Sequence, residues 1–249
     1  MINIQSLHKI FNKGLPNEVQ AINGIDLNIT NGDYLVIVGS NGSGKSTLLN
    51  LIAGSILPSS GSVNIDGNDV SRLHDYQRSR WVARVFQNPL SGTAPDLSIL
   101  DNFRLAALRT KRKGFGIGIN DGFKARVKDQ IARLGMGLEN KTGQLMGTLS
   151  GGQRQALTLL MSVMDDCKIL LLDEPSAALD PRSADLVMQT ADHLIKDYHL
   201  TGILITHNLK DAFTYGNRII QMAEGKILHD LSSEKKTALS QNELFSWFS

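Results

Sequence analysis

The chain holds a single cysteine, Cys167, in 249 residues. That excludes an internal disulfide and any metal site built from several thiolates. Cys167 precedes Lys168 and an apolar run, a place that suits a small buried hydrophobe. Long hydrophobic runs are also missing: no stretch approaches the ~20 apolar residues of a membrane helix. Met1-Ile2-Asn3-Ile4 lacks the charged and apolar regions of a secretory leader. The expectation is a cytoplasmic protein that deals with a membrane only through partners. Charge of one sign is scarce too, with 26 Lys and Arg against 24 Asp and Glu, for a net charge of +2. No strong field therefore draws the whole chain to nucleic acid or lipid. No internal repeat is visible. The 41% hydrophobic and 20% charged fractions are those of an ordinary globular protein, and the length allows one or two cores.

What is present changes character along the chain. Ile2, Ile4 and Leu7 lead to Phe11, and Ile25, Leu27 and Ile29 alternate with polar residues. Both patterns predict strands, with a loop over 12–18 between them. Asn31-Gly32 marks a turn before Tyr34-Leu35-Val36-Ile37-Val38, a run suited to a buried parallel strand. A glycine-rich loop follows, then a helix beginning near Thr47 with Gly54 as its stop. Further strands are predicted over 61–67 and 81–86, the second closed by Gln87-Asn88-Pro89. From about 95 to 165 the pattern is mostly helical, including a helix over 154–163, with a Gly-rich, basic interruption at 109–122. A strand at 169–172, a helix over about 183–197 and a strand at 203–206 then alternate as in a parallel sheet. Residues 219–222 and 226–228 flank Glu224-Gly225 as a hairpin. The expected fold is α/β: one domain over 1–249, with a β subdomain and an α/β core in about 1–94 and 166–249. A helical insertion occupies about 95–165.

The loop Gly39-Ser40-Asn41-Gly42-Ser43-Gly44-Lys45-Ser46 lies between a predicted strand and a predicted helix, the context a phosphate-binding loop requires. Its glycines let successive N–H groups turn toward phosphates, and the helix N-terminus adds unpaired donors. Lys45 would reach the β- and γ-phosphates, the Ser46 hydroxyl would ligate Mg²⁺, and Thr47 would contact the α-phosphate. A merely flexible glycine turn is the alternative.

Leu149-Ser150-Gly151-Gly152-Gln153 has capping-box spacing, Ser at the cap and Gln three residues on. As structure alone it starts a helix. Two glycines in a first turn are poor helix formers, however, and they leave a side-chain-free, donor-rich N-terminus fit to clamp an anion. Asp173 and Glu174 end an apolar strand, where a parallel sheet meets its ligand. They read as a magnesium-holding carboxylate and a base that polarises water, or else as plain surface charge. Gln87 and His207 each follow a predicted strand. Either alone is a weak signal, and a lone histidine is more often structural. His8, His74, His193, His199 and His229 read as surface or packing residues.

Taken in order, the glycine loop, Gln87, the pentapeptide, Asp173-Glu174, Ser176-Ala177-Ala178-Leu179-Asp180 and His207 resemble an ATP-binding-cassette (ABC) ATPase over essentially the whole chain. The resemblance implies a P-loop NTPase (RecA-like) core, an N-terminal antiparallel β subdomain and an inserted α-helical signature subdomain. It implies ATP and Mg²⁺ as cofactors, with Ser46, Gln87 and Asp173 around the metal. It also implies a head-to-tail homodimer in which the signature, Leu149 to Gln153, acts on the other subunit's nucleotide and Asp180 contacts the partner. Glu174 would be the catalytic base, helped by His207, Gln87 and Lys45. Phe11 lies where the family places an aromatic on adenine; an ordinary core Phe is the alternative. Ala177 departs from the serine common at its position, which puts one subunit-bridging hydrogen bond in doubt.

Partners follow from the same resemblance: transmembrane permease subunits facing residues 90–97, and an extracytoplasmic solute-binding protein. The chain would sit on the cytoplasmic face of the inner membrane as an importer subunit. Residues 150–161 and 206–218 are similar to ATPases of tryptophan/tyrosine-type uptake systems. An exporter or lipid-extracting system, or a soluble ABC ATPase acting on nucleic acid or ribosomes, are the rival readings. The basic run Arg109-Thr110-Lys111-Arg112-Lys113 reads first as a solvated loop, then as a contact for lipid headgroups or an acidic permease loop. It is too short, and lacks the aromatic support, to argue for nucleic acid. Ser240-Gln241-Asn242-Glu243 predicts a capped terminal helix whose Leu244, Phe245, Trp247 and Phe248 give it an apolar face for its own core, a dimer or a membrane.

Overall fold

Alternating burial shapes the N-terminal part of the chain. In the computed structural model, which describes residues 1–110 and 118–247, β1 (Ile2–Phe11) and β2 (Val19–Ile29) run antiparallel, with Ile2 opposite Ile29 and Phe11 opposite Val19. Next come β3 (Tyr34–Val38), α1 (Lys45–Ala53), β4 (Ser60–Ile65), β5 (Asn68–Asp69), α2 (Asp75–Arg78) and β6 (Val82–Val85). Gly54 stops α1 in the left-handed conformation, its N–H bonded to Asn50 O. The helical region holds α3 (Ile99–Ala106), α4 (Asp121–Ala132), a short 3₁₀ turn Met146–Thr148 and α5 (Gly151–Ser162). The chain then runs through β7 (Ile169–Asp173), α6 (Pro181–Asp197), β8 (Thr201–Ile205), α7 (Leu209–Thr214), β9 (Arg218–Ala223), β10 (Lys226–Leu231), α8 (Ser233–Ala238) and α9 (Gln241–Ser246).

Two sheets result. An antiparallel sheet has the order β2-β1-β4-β5. A six-stranded sheet has the order β10-β9-β3-β8-β7-β6, parallel except where β10 returns on β9. β3 is buried on both faces because successive side chains enter different cores. Leu35 and Ile37 pack with Ile2, Leu48, Leu171 and Ile205, between the larger sheet, the antiparallel sheet and α1. Val36 and Val38 pack with Leu157, Leu172, Val187 and Leu204, against the helices on the other face.

Some boundaries differ from the sequence pattern. The signature helix begins at Gly151, before Arg154, because Ser150 caps it: Gln153 N–H donates to Ser150 Oγ and Ser150 N–H to Gln153 Oε1. α6 begins at Pro181, before Ser183, since Asp180 caps it and proline suits the first helical position. The short helices α2, α7 and α8 carry too few turns to show a period. The basic run is not simply a solvated loop. Arg109 donates to the carbonyls of Ser162, Asp165 and Asp166, and Thr110 donates through N–H and hydroxyl to Asp165 Oδ2; Lys111, Arg112 and Lys113 lie outside the described residues. The terminal helix turns Leu244 and Trp247 into the core and leaves Phe245 exposed; Phe248 lies outside the described residues. Trp247 stacks on His229.

Candidate active site

β3 stops at Val38 and α1 starts at Lys45, so the glycine loop bridges a parallel strand and a helix N-terminus. Gly39 and Gly44 take φ of 143° and 100°. A Cβ on Gly39 would lie 2.1 Å from Met222 O, and one on Gly44 2.6 Å from Ala21 O. These two glycines are required where the loop presses against β9 and β2. No side chain caps α1, which leaves its first-turn donors available.

Lys45 is buried, and its Nζ donates to Gly39 O at 2.7 Å and Ser40 O at 2.9 Å. Burial pushes its ammonium below the ordinary lysine value, while the charges of Glu174 and Asp173 pull it back up. A cleft of about 310 Å³ opens over the loop. Asn41, Gly42, Gly44, Lys45, Ser46 and Thr47 line it from one side, Glu174 and His207 from the other. Ser40 and Ser43 do not line it: Ser40 serves Lys45 through its carbonyl, and Ser43 is buried in the loop with Gly225 N–H bonded to its carbonyl.

The facing wall is assembled from strand ends. β6, β7 and β8 are neighbours in parallel register, so Gln87, Glu174 and His207, each just beyond a strand, converge. His207 Nε2 lies 2.9 Å from Glu174 Oε1, and Gln87 Nε2 lies 3.2 Å from Glu174 Oε2. Glu174 sits at φ 48° and its N–H bonds to Ile205 O across to β8, which turns its side chain away from the strand direction. His207 is held between Thr206, whose Oγ1 accepts from Asn208 N–H, and Asn208, which caps α7. Asp173 Oδ1 lies 3.4 Å from the Ser46 hydroxyl, and Arg84 Nη2 lies 2.7 Å from Asp173 Oδ2.

The signature stands apart. Among the described residues lining the nucleotide-side cleft, none belongs to 149–153; Gln153 instead lines a separate hollow with Arg182 and Ser183. Gly151 is exposed. Gly152 is not simply a bare donor: a Cβ there would lie 2.4 Å from Ser183 Cβ, so this glycine is needed where α5 presses on α6 of the same chain. Asp180 accepts from Ser183 N–H at the start of α6, and hydrogen bonding from the Ser183 hydroxyl first, then from its backbone N–H, holds the carboxyl below the usual range. Phe11 belongs to neither core; it is half-buried at the end of β1 under Lys9, and its cross-strand partner Val19, not Phe11 itself, lines the cleft.

Two residues that no sequence motif singles out also shape the site. Gln155 is fully buried and its Nε2 donates to Phe86 O at 2.9 Å and Pro175 O at 3.1 Å. It joins the signature helix to the loops after β6 and β7. A polar residue on the apolar face of α5 was the available signal. Arg84 was visible as a charge between Ala83 and Val85 in a strand otherwise buried.

A sequence profile described as ABC transporter matches residues 22–177. The chain belongs to the ABC transporter family. This ABC cassette is 35% identical to a tyrosine transport ATP-binding protein of Clostridioides difficile, over 100% of the chain and 98% of that protein. It is 34% identical to the macrolide export ATP-binding/permease protein MacB of Nitrosomonas europaea over 95% of the chain, but spans only 35% of that protein. Among solved structures, the cassette MJ0796, a dimer in a post-hydrolysis state bound to ADP and Pi, superimposes with a TM-score of 0.80 at 26% identity, covering 94% of this chain and 99% of that one. The P-loop ATPase fold and the ATP-hydrolysing class of the chain follow.

The side chains present fit Mg²⁺. The Ser46 hydroxyl, a carboxylate oxygen of Asp173 and the Gln87 amide are hard oxygen donors. One carboxylate with neutral oxygen donors beside a phosphate-binding loop is the donor set Mg²⁺ takes when substrate phosphates complete its shell.

Proposed function

We propose that two copies of this cassette close head to tail over ATP and thereby drive a membrane permease that imports an amino-acid-like solute delivered by an extracytoplasmic binding protein. The observation that carries this reading is the division of the site. Lys45, Ser46, Glu174 and His207 share one cleft, and the signature lies outside it with Gly151 exposed. A second copy's signature would complete what one chain leaves open.

In this reading Lys45 and the first turn of α1 hold the β- and γ-phosphates. Ser46, Asp173 and Gln87 would hold Mg²⁺, which would neutralise charge developing on the phosphate oxygens. Glu174 takes a proton from the attacking water, and His207 and Gln87 fix the orientation of its carboxylate. Ser150 and the N–H groups of Gly151 and Gly152 of the second copy offer a helix N-terminus to the γ-phosphate. Asp180 lies at the subunit contact, and Phe11, beside the cleft, offers its ring to adenine. The chain would act at the cytoplasmic face of the inner membrane through its permease. Import is supported by identity over nearly the full length of the tyrosine transport ATP-binding protein. The similarity to part of an export protein is the observation behind the rival direction.

Co-purification from solubilised membranes, with mass spectrometry of the bound proteins, tests the reading. A permease together with a solute-binding protein is expected. A permease alone would turn the direction to export, and recovery of neither would overturn transport altogether.

A further inference from the structure

We propose that Arg84 is a positioning residue that sets the orientation of the Asp173 carboxylate toward the metal. The inference rests on the assignment of Asp173 and Ser46 to Mg²⁺.

Arg84 lies on β6 in register with Leu171 of β7, so its side chain starts near the carboxyl edge of the sheet. Its guanidinium makes three close contacts that no other described side chain combines, besides a longer one from Nη1 to Ser55 Oγ at 3.5 Å. Nη2 donates to Asp173 Oδ2 at 2.7 Å. Nη1 donates to Asn50 Oδ1 at 2.5 Å, and Asn50 is one turn along α1 from Ser46. The planar group also lies over the Phe86 ring at 4.6 Å, directly before Gln87. One rigid fork thus spans the helix that carries Ser46, the strand that carries Asp173 and the strand end that carries Gln87. The Arg84 and Asp173 side chains are only 13% and 14% exposed.

A carboxylate on a short side chain rotates about its last bond, a soft and roughly two-fold torsion. With Oδ2 held by Arg84, that rotation stops, and Oδ1 is left facing the Ser46 hydroxyl at 3.4 Å. Outer-shell partners of metal-facing carboxylates act in this way and are worth about 10- to 100-fold in metal affinity. The positive charge of Arg84 works in the opposite sense, since it repels a cation. Charge and geometry are separated by lysine, which keeps the charge but, as a point donor, cannot bridge Asp173 and Asn50 as a planar fork does.

The test uses Mn²⁺ in place of Mg²⁺, with a non-hydrolysable ATP analogue, and reads free Mn²⁺ by electron paramagnetic resonance. Arg84→Lys is expected to raise the half-saturating Mn²⁺ concentration about tenfold, with metal-free analogue binding changed less than twofold. Asn50→Ala removes the second anchor of the fork without touching Asp173 or the charge. It is expected to act in the same direction, and carries the test should Arg84→Lys fail to fold. Wild-type Mn²⁺ binding in either folded variant would overturn the proposal. Asp173→Asn serves as the reference: if it too binds Mn²⁺ as wild type does, the metal assignment of Asp173 fails instead.

Discussion

Glu174 Oε1 lies 2.9 Å from Nε2 of His207. Its other oxygen faces Gln87 Nε2 at 3.2 Å, so each half of the carboxylate is addressed by a residue from a neighbouring strand end. An acid group oriented on both sides in a nucleotide cleft is suited to abstract a proton from water. Glu174→Gln is expected to keep ATP binding, to lose at least about 100-fold in kcat, and to accumulate an ATP-dependent dimer on size-exclusion chromatography. Near-wild-type turnover would remove Glu174 from the base role.

The glycine pair of the signature divides in two. Gly151 is exposed, whereas a Cβ on Gly152 would meet Ser183 Cβ at 2.4 Å. Gly152→Ala should therefore destabilise the single chain by about 1–3 kcal/mol through overpacking of α5 on α6, as read by urea unfolding. Adding Ser183→Gly removes the clashing atoms and should restore most of that loss. Equal stability of Gly152→Ala and wild type would refute the packing role.

Gln155 ties the signature helix to Phe86 O and Pro175 O. Gln155→Leu leaves those carbonyls unpaired, at about 1–3 kcal/mol each where they stay dry. The loops bearing Gln87 and Glu174 lose a common anchor. The expected kinetic result is a fall in kcat with KM for ATP little changed; an unaltered kcat would show that the tie does not reach the chemistry.

Lys236 is buried against α7, its ammonium donating to the carbonyls of Tyr215 and Gly216. Burial lowers its pKa from 10.5 to about 8. Between those values the unfolded chain holds a proton that the folded chain has released, so stability contributed by this group rises with pH. Below about pH 8 both states are protonated and the burial cost is fully present. Relative to Lys236→Met, wild type should gain unfolding free energy as pH is raised from about 8 to 10.5 and show no pH-dependent difference below that window. A flat difference across it would contradict the shift.

Much of the site could be read from local chemistry. The phosphate loop is a continuous stretch whose glycines, lysine and serine act within one strand–turn–helix. The caps at Ser150 and Ser240 bond to N–H groups three residues on, so their spacing alone reveals them. Asp173 and Glu174 stand at the end of an unmistakable apolar strand. Less could be read of Gln87 and His207, which are single residues whose meaning depends on what faces them. Gln155 and Arg84 were missed because their partners lie far along the chain: Gln155 reaches Phe86 and Pro175, and Arg84 reaches Asn50 and Asp173. Arg109 reads as solvated for the same reason, since the carbonyls that hold it, those of Ser162, Asp165 and Asp166, lie 53 to 57 residues away at and just beyond the end of α5.

By itself the sequence determined the kind of chemistry, because donor type, cap and turn depend on neighbours a few residues apart. It determined a nucleotide loop, a carboxylate pair at a strand end and a helix N-terminus open to an anion. The family resemblance already implied that the signature serves another subunit's nucleotide; only the tertiary structure decided which polar ends meet within one chain. The parallel order β6-β7-β8 sets Gln87, Glu174 and His207 on a common edge, while the packing of α5 on α6 holds the signature away from that cleft. The reason is physical: strand order and helix packing are set by burial of apolar faces across the whole chain, and no local pattern encodes which polar ends that burial brings together.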